Sequence, residues 1–282
     1  MTRRLTQTQL AALSQQLSER ERRVLQLVAQ LRLVSHSQLA AVLEAEQPSQ
    51  ASASSRARDV RRLLARLTND GLLARLARRV GGVRAGSNGF TYYLGPVGQR
   101  LVAYWNGQGL VRGRRRPDPG ISYVDHRLAI SGLYADLVGA ARVGALELLD
   151  FAAEPDCWRQ SVDRYGSRAT LKPDAFVQIG LNQYVDDWFV EVDLGTESGT
   201  VLARKTRAYW DYFRTGVEQE ASGVFPRVAF ITNSEIRRRR IVDVCAQMPA
   251  EAWQLFGVTT LDKALDLFSG RLPDRGRGLG EP

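Results

Sequence analysis

The stretch WFVEVDLGTESGTVLARKTRAYWDYF, Trp188 to Phe213, changes period in its middle. Its opening reads as a strand, in which Glu191 and Asp193, two apart, share one face of a sheet. From Gly199 the repeat is helical, with Leu202, Thr206, Tyr209 and Phe213 forming an apolar stripe. A strand that runs straight into an amphipathic helix has to bury the two against each other, so this part of the chain is directed to a sheet covered by helices. Lys205 falls about 60° from Leu202, on the edge of the stripe, while Arg204 and Arg207 point outward. Three readings of the stretch are open: a metal-nuclease centre, a phosphate loop, or strand-to-helix packing. The second is the weakest. GTVLARKT, Gly199 to Thr206, has Arg204 where a phosphate loop needs its second glycine so that backbone amides can wrap the anion, and no nucleotide is expected.

Charge divides the chain in two. Residues 1–120 hold 20 Arg and Lys against 7 Asp and Glu, and residues 121–282 hold 19 against 23, so a net charge of +9 is the sum of a strongly basic part and a slightly acidic one. Such asymmetry suits a nucleic-acid-binding domain joined to a roughly neutral one. At 282 residues, 44% of them hydrophobic, two modest cores are expected. No apolar run approaches the roughly 18 residues of a membrane span, and Met1 to Leu10 is too polar for a signal peptide, so a soluble, cytoplasmic protein without a membrane partner is expected. Cys157 and Cys245 have no thiol or histidine near them in sequence and read as reduced and structural.

The basic part has the order of a DNA reader. Val24, Leu27, Val28 and Leu31 keep helical spacing behind Ser18, and Ser35 with Gln38 forms a capping box that opens a short helix to about Leu43. After the small-residue loop QPSQASASS comes a third helix, SRARDVRRLLARLTNDGLL, with Val60, Leu63, Leu64 and Leu67 on one face and Arg58, Arg61, Arg62 and Arg66 on the other. Two strands then flank a glycine-rich turn carrying Arg75, Arg78, Arg79 and Arg84. This is a winged helix-turn-helix pattern whose eight arginines are candidate contacts to double-stranded DNA. GPVGQRLVAYW closes the domain near Trp105. The expected division is residues 1–105 for the winged helix-turn-helix, 106–121 for a basic Gly/Pro linker, 122–270 for a second domain and 271–282 for a disordered tail.

In the second domain the spacing predicts a helix to about Arg142, strands at Leu146–Phe151, Leu171–Ile179 and Asp187–Asp193, the helix Gly199–Thr215, the strand RVAFIT, a helix from Ser234, and a last strand near Phe256–Thr259. The order helix, three strands, helix, strand is that of the restriction-endonuclease-like fold, giving an α/β class (α+β overall) with a mixed sheet flanked by helices. Asp174, Glu191 and Asp193 converging there would offer oxygen ligands to Mg²⁺ or Mn²⁺. Glu197 either joins this cluster or caps the following helix.

The pattern PDAFVQI, FVEVDLGTES and ARKTRAYWDYF, preceded by HRLAISGLYADL and the winged helix, resembles the replication-relaxation family of plasmid and mobile-element proteins over about residues 18–260. Its core is similar to a PD-(D/E)XK nuclease fold. The resemblance implies a role in plasmid replication or DNA relaxation. It matches Asp174 to the first acidic position and Glu191 to the second. Asp193 stands where an active nuclease of this fold has its lysine, a departure that Lys205, leaning back from the helix, would repair. Asp174, Glu191 and Lys205 are thus the candidate catalytic residues and Asp174, Glu191 and Asp193 the candidate metal ligands. Two functions remain open: a metal-dependent DNA endonuclease, or an inactive DNA-binding regulator or initiator accessory whose second domain meets a second copy or another replication or transfer protein. Lys172 falls beside the acidic cluster in sequence. His126 reads as a helix-start or core residue, and Arg237 to Arg240 as a largely solvated face with one or two side chains free to meet DNA.

Overall fold

The computed structural model describes residues 5–76, 89–108, 120–162 and 166–271. They belong to two compact units, Met1–Ala135 and Asp136–Pro282.

The first unit follows the winged order. Helices α1 (Gln7–Gln16) and α2 (Glu19–Leu31) lead to a short strand β1 (Val34–Ser35), then α3 (His36–Glu46), α4 (Ala53–Asn69), β2 (Leu73–Arg75), β3 (Thr91–Leu94) and α5 (Pro96–Trp105). The three strands pair antiparallel in the order β1-β3-β2. Local sequence chemistry explains the helix starts: Ser18 with Glu21 and Ser35 with Gln38 both form reciprocal capping boxes, which satisfy backbone amides left without helical partners. Val24, Leu27, Val28, Leu31, Leu39, Leu64 and Leu67 are all buried, so the apolar stripes of α2, α3 and α4 make one core. Arg78, Arg79 and Arg84 lie outside the described residues.

Helix α6 (Ile121–Arg142) crosses the division between the units, so the boundary falls inside a helix that the sequence reading gave wholly to the second domain. Its first part is bonded to the winged unit. Gln38 Nε2 donates to the Leu128 carbonyl at 2.7 Å, Ser131 Oγ donates to the Leu33 carbonyl at 2.6 Å, and the Arg23 guanidinium reaches the Tyr134 hydroxyl at 2.9 Å. Periodicity marks the helix, but it says nothing of which core receives its face.

The second unit is built on five strands: β4 (Glu147–Ala153), then, after a small hairpin of β5 (Arg159–Val162) and β6 (Arg168–Leu171), β7 (Ala175–Leu181) and β8 (Tyr184–Asp193). Helices α7 (Gly199–Phe213) and α8 (Val217–Ser222) precede β9 (Arg227–Thr232), and α9 (Glu235–Ala246) and α10 (Ala250–Trp253) precede β10 (Phe256–Thr260), with α11 (Ala264–Phe268) last. The sheet order is β10-β9-β8-β7-β4, with β7 antiparallel to both neighbours and β8, β9 and β10 parallel. This is a mixed five-stranded sheet flanked by helices, in the expected order. One predicted strand, Leu171–Ile179, is in fact two. Leu171 ends β6 opposite Arg159, and the chain enters β7 only after Pro173, whose missing N–H interrupts a ladder.

Gly98 tests how tightly the first unit is closed. A Cβ there would stand 2.0 Å from the Leu72 carbonyl oxygen, a backbone atom that cannot swing away. Gly98→Ala is therefore expected to destabilise the full chain by about 1–3 kcal/mol, as overpacking does. A urea midpoint equal to that of the wild type would contradict this packing.

Candidate functional site

The central strand β8 is buried without interruption from Trp188 to Asp193, as a strand covered on both faces must be. Alternation still sorts its side chains. Trp188 meets Phe268 of α11 at 5.5 Å between ring centroids, whereas Phe189 meets Tyr209 and Tyr212 of α7 at 5.8 and 6.4 Å. Glu191 and Asp193 follow Phe189 on the α7 side, so two carboxylates enter an apolar layer. A buried charge is costly unless paired and hydrogen-bonded, and each finds partners on a covering helix.

Glu191, 2% exposed, is held by two residues one turn apart on α7. Lys205 Nζ donates to its Oε2 at 2.7 Å and the Tyr209 hydroxyl donates to its Oε1 at 2.6 Å. Lys205 also reaches Glu197 Oε1 at 2.8 Å, so one ammonium bridges two carboxylates. Asp174, just before β7, accepts the Val192 amide through Oδ2 at 2.8 Å and is close enough to act electrostatically on both Glu191 and Lys205. Burial first, then the charge of Asp174, push Glu191 up to about 7 against the opposing pull of Lys205. Burial disfavours the charge on Lys205, but Glu191 and Asp174 outweigh it and hold the ammonium above its ordinary range.

Asp193 goes elsewhere. Its Oδ2 accepts from Arg237 of α9, at 2.6 Å from Nε and 2.5 Å from a terminal nitrogen, while Oδ1 accepts the Gly195 amide at 2.8 Å. Arg237 also donates to the Glu197 carbonyl at 2.6 Å, tying the chain between β8 and α7 to the first turn of α9. The structure therefore brings Asp174, Glu191 and Lys205 together and turns Asp193 to a different cation. Arg237 had been read with its neighbours as part of a solvated face. Its signal was present, since Arg237, Ile241 and Cys245 recur every four residues and all three are buried. Lys172 is directed away from the cluster, with its ammonium 4.7 Å from the Trp158 ring centroid.

Among the described residues, no three of His, Cys, Asp and Glu stand together so as to hold a metal ion. The chemistry of the donors points the same way. Asp174, Glu191 and Glu197 are hard oxygen ligands suited to Mg²⁺ or Mn²⁺, yet both Glu191 oxygens and one oxygen of each of the others already accept from protein donors. Glu197 Oε2 is the exception, a buried oxygen with no hydrogen-bond partner among the described residues.

In the first unit, Arg58, Arg61 and Arg62 are exposed on α4 opposite its buried Val60, Leu64 and Leu67. Arg66 is engaged by Glu21, the buried acid of the α2 capping box. Arg75 lies over the Phe90 ring, 4.4 Å from its centroid.

The family model described as Replication-relaxation matches residues 25–228, from within α2 to the start of β9. The chain belongs to the replication-relaxation family. Membership indicates a role in the replication or relaxation of a plasmid or mobile element. The matched span includes the winged unit from the middle of α2 onward, with Asp174, Glu191, Asp193 and Lys205, and it stops short of Arg237. No curated protein and no solved structure matches the chain. Among the described residues no helix is long and apolar enough to cross a membrane.

Two outcomes follow for this family member. Arg237→Met should cost about 3–5 kcal/mol, because it strands a buried carboxylate, whereas Arg237→Met with Asp193→Leu should recover most of that loss. Equal urea stability for the single variant and the wild type would show that the pair is not buried as described. Because the folded value of Glu191 lies above its ordinary 4.5, ionisation is penalised in the folded state, and its contribution to stability should fall as pH rises from about 4.5 to about 7. The stability difference between wild type and Glu191→Gln should decline across that window, and a flat difference would refute the shift.

Proposed function

We propose that this chain is a DNA-binding protein of plasmid or mobile-element replication that docks on duplex DNA through its winged unit and works without metal-dependent cleavage, as a regulator or initiator accessory. The observation that carries the DNA-binding reading is the arginine face of α4. Arg58, Arg61 and Arg62 stand exposed opposite an apolar stripe that fixes the helix, and the first turn of α4 holds no acid to repel a phosphate. In a helix-turn-helix the helix at this position enters the major groove, and arginines there neutralise phosphates and release counterions.

What supports the non-catalytic part is the occupation of the carboxylates by Lys205, Tyr209 and Arg237. A nuclease centre needs carboxylates open to a cation and to water, and these are buried and bonded to the protein. One observation favours the second reading, a Mg²⁺-dependent DNA endonuclease with Asp174, Glu191 and Lys205 as catalytic residues. Glu197 Oε2 is buried and unpartnered, and Asp174, Glu191 and Glu197 outnumber the single ammonium among them.

The two readings separate in one set of measurements. Replacing Arg58, Arg61 and Arg62 by Ala should flatten the dependence of log K on log salt by about 2.7 for duplex DNA, three phosphate contacts being lost. An unchanged slope would move the binding surface off α4. Wild type should bind DNA while showing no calorimetric uptake of Mn²⁺ and no cleavage in Mg²⁺ or Mn²⁺. Cleavage abolished by Glu191→Ala with DNA affinity kept would establish the endonuclease instead.

A further inference from the structure

The second unit carries more acid than base in sequence, yet its helical layer presents a basic outer surface. Arg204 and Arg207 of α7, Arg214 at its C-terminal cap and Arg240 of α9 are all exposed, and their side chains have no hydrogen-bond or ion-pair partner among the described residues. Arg238 and Arg239 differ, because both are paired with Glu235. Besides Glu235, the exposed acids on the same two helices are Asp211 and Asp243, and none of the three is ion-paired to the four arginines.

Arg204, Arg207 and Arg240 are brought near one another for two geometric reasons, with Arg214 two turns farther along at the end of α7. Helices α7 and α9 pack against each other, and Arg237, bonded both to Asp193 and to the Glu197 carbonyl, ties the first turn of α9 to the segment that enters α7. Residues one turn into each helix, Ala203 to Arg207 and Arg240, therefore stand side by side. On α7, Arg207 and Arg214 lie within about 60° of Trp210, and on α9 Arg240 lies about 40° from Val244. Trp210 and Val244 pack on the same apolar cluster, which turns these two flanks toward one another. Arg204 stands on the outer side of α7 beside them.

We propose that this α7–α9 surface is a second binding site for duplex DNA, contacting the phosphate backbone independently of the winged unit. The proposal rests on the DNA-binding reading above. Charge complementarity selects the occupant. Unpaired guanidinium groups on two neighbouring helices fit closely spaced phosphates, and guanidinium, with its planar fork of donors, suits phosphate better than a point charge does. The surface holds no row of exposed apolar side chains for a protein partner, Ile236 being the one large exposed apolar residue of α7 and α9.

The test uses the full chain and a duplex of about three helical turns, with log K measured against log salt. Arg204→Ala/Arg207→Ala/Arg240→Ala should flatten the slope by up to about 2.7, and adding it to the α4 triple substitution should flatten the slope further. Arg239→Ala, which removes a charge already paired with Glu235, should change the slope by less than about 0.9. An unaltered urea midpoint is expected for these exposed positions, and Arg207→Glu, which reverses the field at one site, guards against compensation. If the α4 substitution flattens the slope while the α7–α9 triple and Arg207→Glu leave it unchanged, this proposal fails and the docking of the winged unit stands. If the wild type binds no duplex DNA, both fall. Loss of slope on single-stranded DNA alone would also overturn the assignment to duplex.

Discussion

Two acids on the covered face of a central strand set the terms for the second unit. Glu191 and Asp193 follow Phe189 into the layer beneath α7 and α9, where water cannot solvate them, and each therefore demands a cation on a particular turn of a particular helix. Lys205 and Tyr209 answer the first demand and Arg237 the second. The pairings position both helices against the sheet. Apolar packing among Phe189, Tyr209, Tyr212 and Phe225 tolerates sliding, but an ammonium held at 2.7 and 2.8 Å between two carboxylates does not. Buried ion pairs contribute little net stability against apolar replacements, so their value here lies in register.

The same arrangement bears on function. The mixed sheet places carboxylates toward the end of its central strand, and in this chain those carboxylates answer to protein cations. Asp193 is neutralised by an arginine of α9 and not by the lysine that meets Glu191. The lysine that does approach the cluster comes from α7 and bridges Glu191 to Glu197. In the first unit charge works differently. Arg66 is drawn to the buried Glu21 and Arg75 to the Phe90 ring, while Arg58, Arg61 and Arg62 keep their exposed face on α4.

Much of this was legible in the residues. Capping serines at Ser18 and Ser35, the apolar stripe of α4, and the change of period at Gly199 are local signals, and local signals survive translation into structure because they depend on neighbours within a few positions. The edge position of Lys205 on α7 was enough to bring it to Glu191. The β5–β6 hairpin escaped because only Leu171 of its eight positions is buried, leaving little apolar pattern to read. The break at Pro173 was missed because Leu171 lies just before the apolar run that starts at Ala175. The role of Arg237 was hidden among four consecutive arginines, where only the burial of Ile241 and Cys245 distinguishes one from the rest.

The sequence by itself determined the order of the main elements, the winged pattern, the sheet-and-helix class, the basic character of the first part and the edge of α7 on which Lys205 stands. Tertiary structure alone decided which unit receives the first part of α6, that Asp193 turns to Arg237, and which arginines stay unpaired. The physical reason is range. A cap or a stripe is set by residues three or four apart, whereas the partner of a buried carboxylate is chosen by packing between elements, here across the 44 positions that separate Asp193 from Arg237.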